Sequence, residues 1–521
     1  GLVREVEGLH GGSRIIVPDI AAWSLFMQYV LPDRVYTAAQ VRELDARLIA
    51  AGTPGIELMQ RAAEALWQAV QQRWPDLREM TVLCGGGNNA GDGYLLAQLA
   101  LQAGWRVAVW AVADPEALQG DAAAALQAAR AEGVRIQRWH TNALLSGVLV
   151  DALLGTGLSG EVRGDYVGVI EQINAATCPV LSVDLPSGLE ADRGVVLGCA
   201  VSADLTVTFI GLKLGLLTGV GPDYTGELLF AALAQGEAGT ATFERLGLAR
   251  WARTLPLRKQ AAHKGHFGHL LIIGGGQGMG GAVMLAAEAA LCSGAGKISV
   301  VTRPEHVAPL LSRCPELMVR GVDGVAQLHG LLDQADALVI GPGLGRGSWA
   351  QELLDAALAW QGPRVLDADA LNLLAERAAP VFLGADSIIS PHPAEAARLL
   401  AWDNARVQAD RPAALAQLVA MLDCAVILKG AGTLVASADE SVPAVCTDGN
   451  PGMAVGGMGD VLSGLLGALL AQRIPAAEAA RYAVLVHALA GDRAASSGQV
   501  GMRASDMFMP IRALLNQREA E

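Results

Sequence analysis

The sequence lacks a basic run, a CxxC pair and a long unbroken apolar segment. With a formal net charge of −14, it is poorly suited to bind nucleic acid or an anionic membrane. The longest uncharged stretch, residues 265–287, contains two histidines and many glycines, which makes it a poor membrane-spanning helix. These absences favour a protein that acts on small molecules, with no nucleic-acid or membrane partner.

Cysteine is also sparse, and its seven positions are odd in number and scattered: Cys84, Cys178, Cys199, Cys292, Cys314, Cys424 and Cys446. This spacing fits neither a disulfide framework nor a zinc site. We therefore expect reduced thiols in a cytoplasmic protein.

The chain has 521 residues, which is too long for one ordinary hydrophobic core. A hydrophobic fraction of 52% and 62 glycines favour α/β architecture with many strand-to-helix turns. We interpret residues 1–33 as a leader or extension of unknown role. A segment poor in strand pattern, 235–249, predicts the boundary between domains spanning 34–240 and 250–517.

Short apolar runs alternate with helical spacing in both halves, which predicts two mainly parallel sheets between helices. In the first half we expect strands at 81–84, 106–113, 148–153, 180–184 and 201–210, with helices at 94–103 and 119–132. In the second half we expect strands at 269–273, 297–302, 337–340, 364–366, 387–390 and 425–429, with helices at 281–292, 461–471 and 476–493.

The most informative segment is residues 449–460, GNPGMAVGGMGD, which places Asp460 behind a glycine-rich turn. The apolar run that follows reads as the start of a helix, whose free N–H groups can hold an anion. A carboxylate beside them can take a proton from a hydroxyl that attacks a phosphoryl group. The segment therefore predicts chemistry on a nucleotide phosphate, although a short GxGD alone could be a capped turn.

Three polar loops follow predicted strands of the first half, at residues 85–93, 151–160 and 184–188. Ligands bind at this edge of open parallel sheets. The loops match neither GxGxxG nor a Walker loop with its lysine. Their oxygen-rich side chains suit a hard cation rather than zinc, and no Ser–His or Cys–His pair indicates covalent catalysis.

Together these loops resemble the epimerase half of the bifunctional NAD(P)H-hydrate repair enzymes, from Tyr36 to Leu233. The resemblance implies a potassium site at Asn89, Asp151 and Ser187, with Asp184 against the hydrated nicotinamide. It also implies contacts to the substrate from Asn88, Asn89, Ala90, Gly91, Asp92, Gly155, Thr156, Gly157, Leu158, Ser159, Gly160, Glu161 and Tyr166.

The epimerisation can also be argued from the substrate's chemistry. The hydrate carries a hydroxyl on C6, and the ring nitrogen can expel it to give an iminium ion that water attacks from either face. A carboxylate beside C6 could protonate the leaving oxygen and then activate water. We assign this role to Asp184.

The second half resembles the partner dehydratase, a ribokinase-like fold, over residues 257–515. The matching motifs, in order, are GHLLIIGG at 268–275, GMGGA at 278–282, GPGLG at 341–345, DADALN at 367–372, SPHPAE at 390–395, LKGAGT at 428–433 and the turn that ends at Asp460. Each motif is weak alone, but the ordered set is specific.

The resemblance implies that Ala282, Gly343, His392 and Asp460 face the hydrated cofactor. It also implies that Lys429, Gly430, Ala431, Gly432, Thr433 and Gly459 hold the adenine nucleotide. The expected reaction begins when Asp460 deprotonates the C6 hydroxyl, which attacks the terminal phosphoryl group of ADP. Elimination of phosphate then restores NAD(P)H and leaves AMP. Mg²⁺ on the phosphates is implied, with Glu395 as a candidate ligand.

Two alternatives stay open at this point. The first is a ribokinase-like kinase for a vitamin alcohol such as hydroxymethylpyrimidine or pyridoxal. The second is a first domain that binds ligand without turnover. The sequence leaves open the preference between NADH and NADPH hydrates or between ADP and ATP, the communication between sites, and the oligomeric state, for which a homo-oligomer is the working expectation.

Overall fold

The computed structural model describes residues 3–6, 15–18, 27–28, 31–236, 239–248, 255, 257–379, 381–440 and 442–517. The chain divides into two compact units, Gly1–Thr242 and Phe243–Glu521. This division falls inside the segment 235–249, of which residues 237, 238 and 249 lie outside the described residues. Most of the interpreted leader, 1–33, lies outside them as well.

The first unit alternates strands with helices along the chain. Its strands are β1 (Val3–Val6), β2 (Ile15–Pro18), β3 (Met27–Gln28), β4 (Arg34–Tyr36), β5 (Glu79–Cys84), β6 (Arg106–Ala111), β7 (Ile136–Arg138), β8 (Val148–Ala152), β9 (Val180–Val183), β10 (Leu205–Phe209), β11 (Leu212–Lys213) and β12 (Glu227–Ala231). Its helices are α1 (Ala38–Ala50), α2 (Gly55–Arg73), α3 (Asn88–Gln102), α4 (Gly120–Ala131), α5 (Asp165–Ala175) and α6 (Gly221–Thr225).

Eight of these strands form one sheet in the order β3-β12-β10-β9-β8-β5-β6-β7, parallel except for β3. The central strands β8, β9 and β10 are buried along their whole length, as expected for a sheet covered on both faces. Strand β1 pairs with β2 in a two-stranded antiparallel sheet, and β4 pairs in parallel with β11. The carboxyl ends of β5, β8, β9 and β10 therefore meet at one edge.

The second unit has ten strands: β13 (Phe243–Arg245), β14 (His269–Ile273), β15 (Lys297–Thr302), β16 (Met318–Gly321), β17 (Ala337–Ile340), β18 (Arg364–Leu366), β19 (Ser387–Ile389), β20 (Ala425–Leu428), β21 (Thr433–Ala436) and β22 (Ala444–Cys446). Its helices are α7 (Gly280–Cys292), α8 (Val307–Arg313), α9 (His329–Leu332), α10 (Ser348–Ala359), α11 (Asp369–Ala375), α12 (Pro393–Leu400), α13 (Asn404–Ala409), α14 (Arg411–Leu422), α15 (Met458–Ala471), α16 (Ala476–Ala494) and α17 (Phe508–Leu515).

These strands run in the order β13-β22-β21-β20-β19-β18-β17-β14-β15-β16, and all neighbours are parallel except β21 against β20 and β22. Helix α15 is almost entirely buried among apolar side chains. The predicted α/β class with two mainly parallel sheets is confirmed. Across the described ranges, no helix combines the length and apolarity needed to cross a membrane.

Helix α3 and one β-hairpin are among the local features that differ from the sequence-based expectations. Helix α3 begins at Asn88, six residues before the predicted start, because the segment Asn88–Gly93 folds as helix despite its two glycines. The hairpin of β21 and β22 was not predicted, since the strands are short and a turn-rich segment separates them. The first difference matters for the site, because it turns a predicted loop into a helix N-terminus.

Candidate functional sites in the two units

In the first unit, a cleft of about 730 Å³ opens at the carboxyl edge of the sheet. Residues of all three predicted loops line it, together with side chains from α1 and α2. This position is the expected one for a ligand of an open parallel sheet.

The first loop leads directly into α3. Gly85 must lack a side chain, because an added Cβ would lie 1.8 Å from the carbonyl oxygen of Leu153. Gly87 precedes the helix, and no side chain caps its N-terminus. Asn88, at the first helical position, is exposed. The free N–H groups of this turn therefore face the cleft and suit a phosphate.

Behind the cleft wall lies a buried network around Asp151, which is fully inaccessible. One carboxylate oxygen accepts hydrogen bonds from the Ser187 backbone N–H at 2.8 Å and the Ser182 hydroxyl at 2.8 Å. The other accepts from the Ser187 hydroxyl and, at 3.3 Å, from the Leu153 N–H. Burial raises the pKa of Asp151, and these hydrogen bonds oppose the rise.

Asn89 joins this network through the same stretch of backbone. Its amide nitrogen donates to the carbonyl oxygens of Val183 at 2.9 Å and Leu154 at 3.4 Å. The Ser187 hydroxyl lies 3.2 Å from that same Leu154 oxygen. The structure thus brings the three predicted potassium ligands together.

Asp184 is held rigidly at the cleft. It has a φ of +66°, unusual for a residue other than glycine. Its Oδ1 atom accepts hydrogen bonds from the Thr208 hydroxyl and the Phe209 N–H, both at 3.1 Å, and from the ammonium group of Lys213. Lys213 is completely buried and also contacts the Thr208 hydroxyl at 3.0 Å. Three donors on one oxygen fix the carboxylate and leave Oδ2 without a partner among the described residues.

Most residues predicted to contact the first substrate line the cleft, and four do not. Those that do are Asn88, Asn89, Asp92, Gly155, Thr156, Gly157, Leu158, Ser159, Tyr166 and Asp184. Ala90 and Gly91 are buried inside α3, whereas Gly160 and Glu161 are exposed outside the cleft. Their predicted contacts stay predictions.

Four charged cleft residues were missed by the sequence reasoning: Arg42 and Asp45 on α1, Asp121 on α4, and Lys213. Lys213 could have been predicted from the sequence, because it is the only charged residue in the apolar run 205–222. A lysine buried in such a run needs a carboxylate partner. Arg42 and Asp45 had no such signal, because α1 reads as an ordinary amphipathic helix. Burial, followed by the charges of Asp121 and Asp184, raises the pKa of Asp45.

In the second unit, the glycine turn delivers Asp460 to the start of α15. Gly457 precedes the helix with a φ of +92°, and no side chain caps the N-terminus. The Nε2 atom of buried His487 lies 3.1 Å from the Met458 carbonyl oxygen and braces this turn. Burial lowers the pKa of His487 to about 4, so the ring is neutral and donates to that oxygen. The first N–H groups of α15 are therefore available to an anion.

Lys429 lies among several carboxyl groups next to this turn. Its ammonium nitrogen is 2.9 Å from Asp367 and 4.0 Å from Glu395. The carboxylate of Asp367, almost wholly buried, also accepts a hydrogen bond from the Ser463 hydroxyl at 2.8 Å. Burial, followed by the charge of Asp367, raises the pKa of Asp460 to about 7, and Lys429 opposes this rise. Asp460 can thus exchange a proton near neutral pH, as a general base must.

The backbone after Lys429 forms the predicted nucleotide loop. Gly430 and Gly432 have φ values of +137° and +59°, and the Thr433 hydroxyl donates to the Gly430 carbonyl oxygen at 2.9 Å. Arg411, a buried side chain, donates to the carbonyl oxygen of Lys429 at 3.2 Å. Gly459 lies beside this loop, since a Cβ added to it would be 3.4 Å from the Lys429 ammonium nitrogen.

The residues predicted to face the second substrate fall into two groups. A Cβ on Gly343 would lie 3.0 Å from the Cβ of Ala282, so these two adjoin. His392 caps α12, with Nδ1 accepting from the Ala394 N–H and Nε2 lying 3.3 Å from the Glu395 carboxylate. A separate cavity of about 1300 Å³ in this unit is lined by residues such as Arg258 and contains none of the predicted site residues.

Comparisons with known proteins find relatives for both units. A family described as NAD(P)H-hydrate dehydratase matches residues 270–512, and one described as YjeF-related protein N-terminus matches residues 55–215. The bifunctional NAD(P)H-hydrate repair enzyme of Coxiella burnetii is 46% identical over 488 residues, which cover 92% of this chain and 99% of that protein. The Escherichia coli K12 enzyme of the same name is 41% identical, over 93% of this chain and 95% of its own.

A solved structure adds support for the second fold. A ribokinase-like superfamily protein from Enterococcus faecalis V583 shares 30% identity at a TM-score of 0.50. The match covers 55% of this chain and 99% of that one.

Proposed function

The chain belongs to the family of bifunctional NAD(P)H-hydrate repair enzymes, and we propose that its two domains act in turn on one damaged cofactor. The first domain interconverts the R and S hydrates at C6. The second dehydrates the S form with ADP, which yields NAD(P)H, AMP and phosphate. The observation that carries the proposal is Asp460 at an uncapped helix start beside Lys429.

In the first domain, the phosphates of the hydrate would lie at the start of α3, with Arg42 nearby. The Arg42 guanidinium donates to the Thr156 carbonyl oxygen at 3.3 Å and thereby ties α1 to the second loop. Asp184, fixed by Lys213, would present its free Oδ2 atom to C6 and activate the water that returns to the ring.

In the second domain, Asp460 takes the proton of the C6 hydroxyl, whose oxygen attacks the terminal phosphoryl group of ADP and releases AMP. Lys429 and the first N–H groups of α15 stabilise charge on the transferred group. The phosphate ester then leaves with help from the ring nitrogen, and loss of the C5 proton restores NAD(P)H. Phosphate is a far better leaving group than hydroxide, which explains the use of ADP.

The residues present fit the two implied cations to different degrees. Asn89, Asp151 and Ser187 would hold potassium, which would orient the loops around the substrate; their donors are oxygens, and the buried Asp151 forms no ion pair within the described ranges. For magnesium, the described residues offer no group of three or more histidine, cysteine, aspartate or glutamate side chains placed to hold a metal ion. The phosphates of ADP would therefore supply most of its ligands, with Glu395 as one carboxylate.

Localisation, partners and assembly complete the proposal. All seven cysteines are free, which agrees with a reducing compartment such as the cytoplasm. Small molecules are the proposed partners, and assembly as a homo-oligomer stays a prediction. The vitamin-kinase alternative is not favoured, because relatives of the repair family match the chain across both domains.

The test is a single absorbance trace at the reduced-nicotinamide band. Both NADH hydrate epimers would be mixed with the protein, ADP, Mg²⁺ and K⁺. We expect full recovery of NADH, faster than spontaneous epimerisation allows. Recovery of about half followed by a slow phase would remove the epimerase assignment. No recovery with ADP or ATP would remove the dehydratase assignment and revive the kinase.

A further inference from the structure

Epimerisation sets a geometric requirement that Asp184 alone does not meet. The hydroxyl must leave C6 on one face of the ring, and water must return on the other. The carboxylate of Asp184 cannot move from one face of the ring to the other, because its backbone is constrained and three donors hold its Oδ1 atom. A second proton-carrying group should therefore face the cleft from another element.

The other titratable or charged side chains lining the cleft are Arg42, Asp45, Asp92, Asp121, Tyr166 and Lys213. Lys213 forms a hydrogen-bonded ion pair with Asp184, and the Tyr166 hydroxyl forms a hydrogen bond with the Gly86 backbone. Asp121 lies against the start of α2, where a Cβ on Gly55 would fall 2.1 Å from its carboxylate oxygen. Asp92 is mostly buried in α3, with 8% of its surface exposed.

Asp45 differs from these groups in access and position. It is only half-buried, and its carboxyl group has no hydrogen-bond partner among the described residues. It lies on α1, one helical turn after Arg42, whose bond to Thr156 fixes that helix to the cleft. Asp184 instead lies at the end of β9, so the two carboxyl groups come from different walls.

The electrostatic surroundings of the two carboxyl groups differ. Lys213 compensates the charge of Asp184, whereas burial and the nearby Asp121 and Asp184 raise the pKa of Asp45. Pairs of carboxyl groups in such contrasting environments commonly divide acid and base roles.

Resting on the proposed epimerase function, we propose that Asp45 is the second acid–base residue of this cleft, acting on the face of C6 opposite to Asp184. Protonated Asp45 gives its proton to the leaving C6 hydroxyl; the C–O bond breaks, water departs, and the ring nitrogen lone pair forms the iminium. A second water bonds to C6 from the other face and gives a proton to Asp184. The reverse reaction transfers both protons back, so atoms and charge balance over the two directions.

The test compares Asp45→Asn and Asp184→Asn in the full chain without ADP, so that the dehydratase is idle. Two quantities are measured for each NADH hydrate epimer: conversion to the other epimer, and exchange of the C6 oxygen with ¹⁸O-labelled water. We expect epimerisation to fall at least about 100-fold in both variants, the usual effect of losing a general acid or base. Each variant should keep oxygen exchange with one epimer, and the retained epimer should differ between the two.

The matched control is Glu43→Gln on the exposed side of α1, where Glu43 pairs with Arg47. It should epimerise as the unmodified chain does, and all variants should keep their ADP-dependent recovery of the S hydrate. Normal epimerisation by Asp45→Asn would overturn the proposal. It would also be overturned if both variants kept oxygen exchange with the same epimer, or if either variant lost oxygen exchange with both epimers. An unmodified chain without epimerisation would instead overturn the proposed function itself.

Discussion

Replacing Asp460 with Asn should abolish dehydration and at the same time stabilise the second domain. The pKa of Asp460 is raised from 3.8 to about 7, first by burial and then by Asp367. The difference of about 3, at about 1.4 kcal/mol for each pH unit, makes the ionised form cost the folded domain about 4 kcal/mol. This value is an upper limit, because neighbouring groups relax.

The sign of the pH dependence follows from the raised folded-state pKa. The protonated carboxyl carries no such cost at about pH 4, and the cost grows as the pH rises towards 7. Asp460→Asn should therefore match the unmodified domain in stability near pH 4 and exceed it above pH 7. For a domain of this size, about 4 kcal/mol corresponds to an increase of roughly 8 °C or more in melting temperature.

Calorimetry at pH 4.5 and 8 measures the stability, and NADH recovery from the S hydrate measures the activity. The rate of the unmodified enzyme should rise with pH through about 7 and then level off, since a general base must be ionised. Asp333→Asn, an exposed position in the same domain, serves as the control and should leave both readouts unchanged. Equal stability of Asp460→Asn and the unmodified chain at pH 8 would refute the burial argument.

Three further predictions concern single contacts. Gly459→Ala should leave stability intact, because its Cβ would contact Lys429 at an ordinary 3.4 Å, but it should raise the KM for ADP about 10-fold, because the added methyl group would cover backbone that is predicted to contact the nucleotide; an unchanged KM would contradict that predicted contact. Lys429→Met should destabilise the second domain by about 3–5 kcal/mol in urea unfolding, because it leaves the buried carboxylate of Asp367 without its ion-pair partner. The double variant with Asp367→Asn should recover much of that loss of stability. Potassium should raise the melting temperature of the first domain through binding linkage, and Asp151→Asn should remove this effect; an equal shift in both would exclude the predicted site.

Much of the fold could be predicted from the sequence. Strands β14, β15, β17 and β18 begin and end where their apolar runs do, because strands buried on both faces leave an uninterrupted hydrophobic signal. Helix starts were predicted less well: α3 and α15 begin before their apolar periodicity does. In both, glycine and polar residues occupy the first turn because a ligand is expected to approach the backbone there.

Some features of the candidate sites could likewise be predicted from the sequence, and others could not. The proximity of Asp151, Ser187 and Asn89 could be predicted, because they lie at or after the carboxyl ends of strands, where parallel topology brings side chains together. Asp45 could not, since nothing in an amphipathic helix distinguishes a solvated carboxyl group from one facing a cleft. The raised pKa of Asp460 was equally hidden, because it depends on Asp367, which is 93 residues away along the chain (460 − 367).

The two candidate bases, Asp184 and Asp460, differ in how many carboxyl groups share the neighbouring lysine. Lys213 is fully buried and, among the described residues, forms an ion pair only with Asp184, so the charge of that carboxylate is compensated. Lys429 pairs with Asp367 and Glu395 and also acts on Asp460, so one ammonium group serves three carboxyl groups. The uncompensated charge helps to raise the pKa of Glu395 and of Asp460 to about 7. If the phosphates of ADP bind here as proposed, this arrangement favours them, because protonation of the surplus carboxylates lowers their repulsion of the nucleotide until Asp460 is needed as a base.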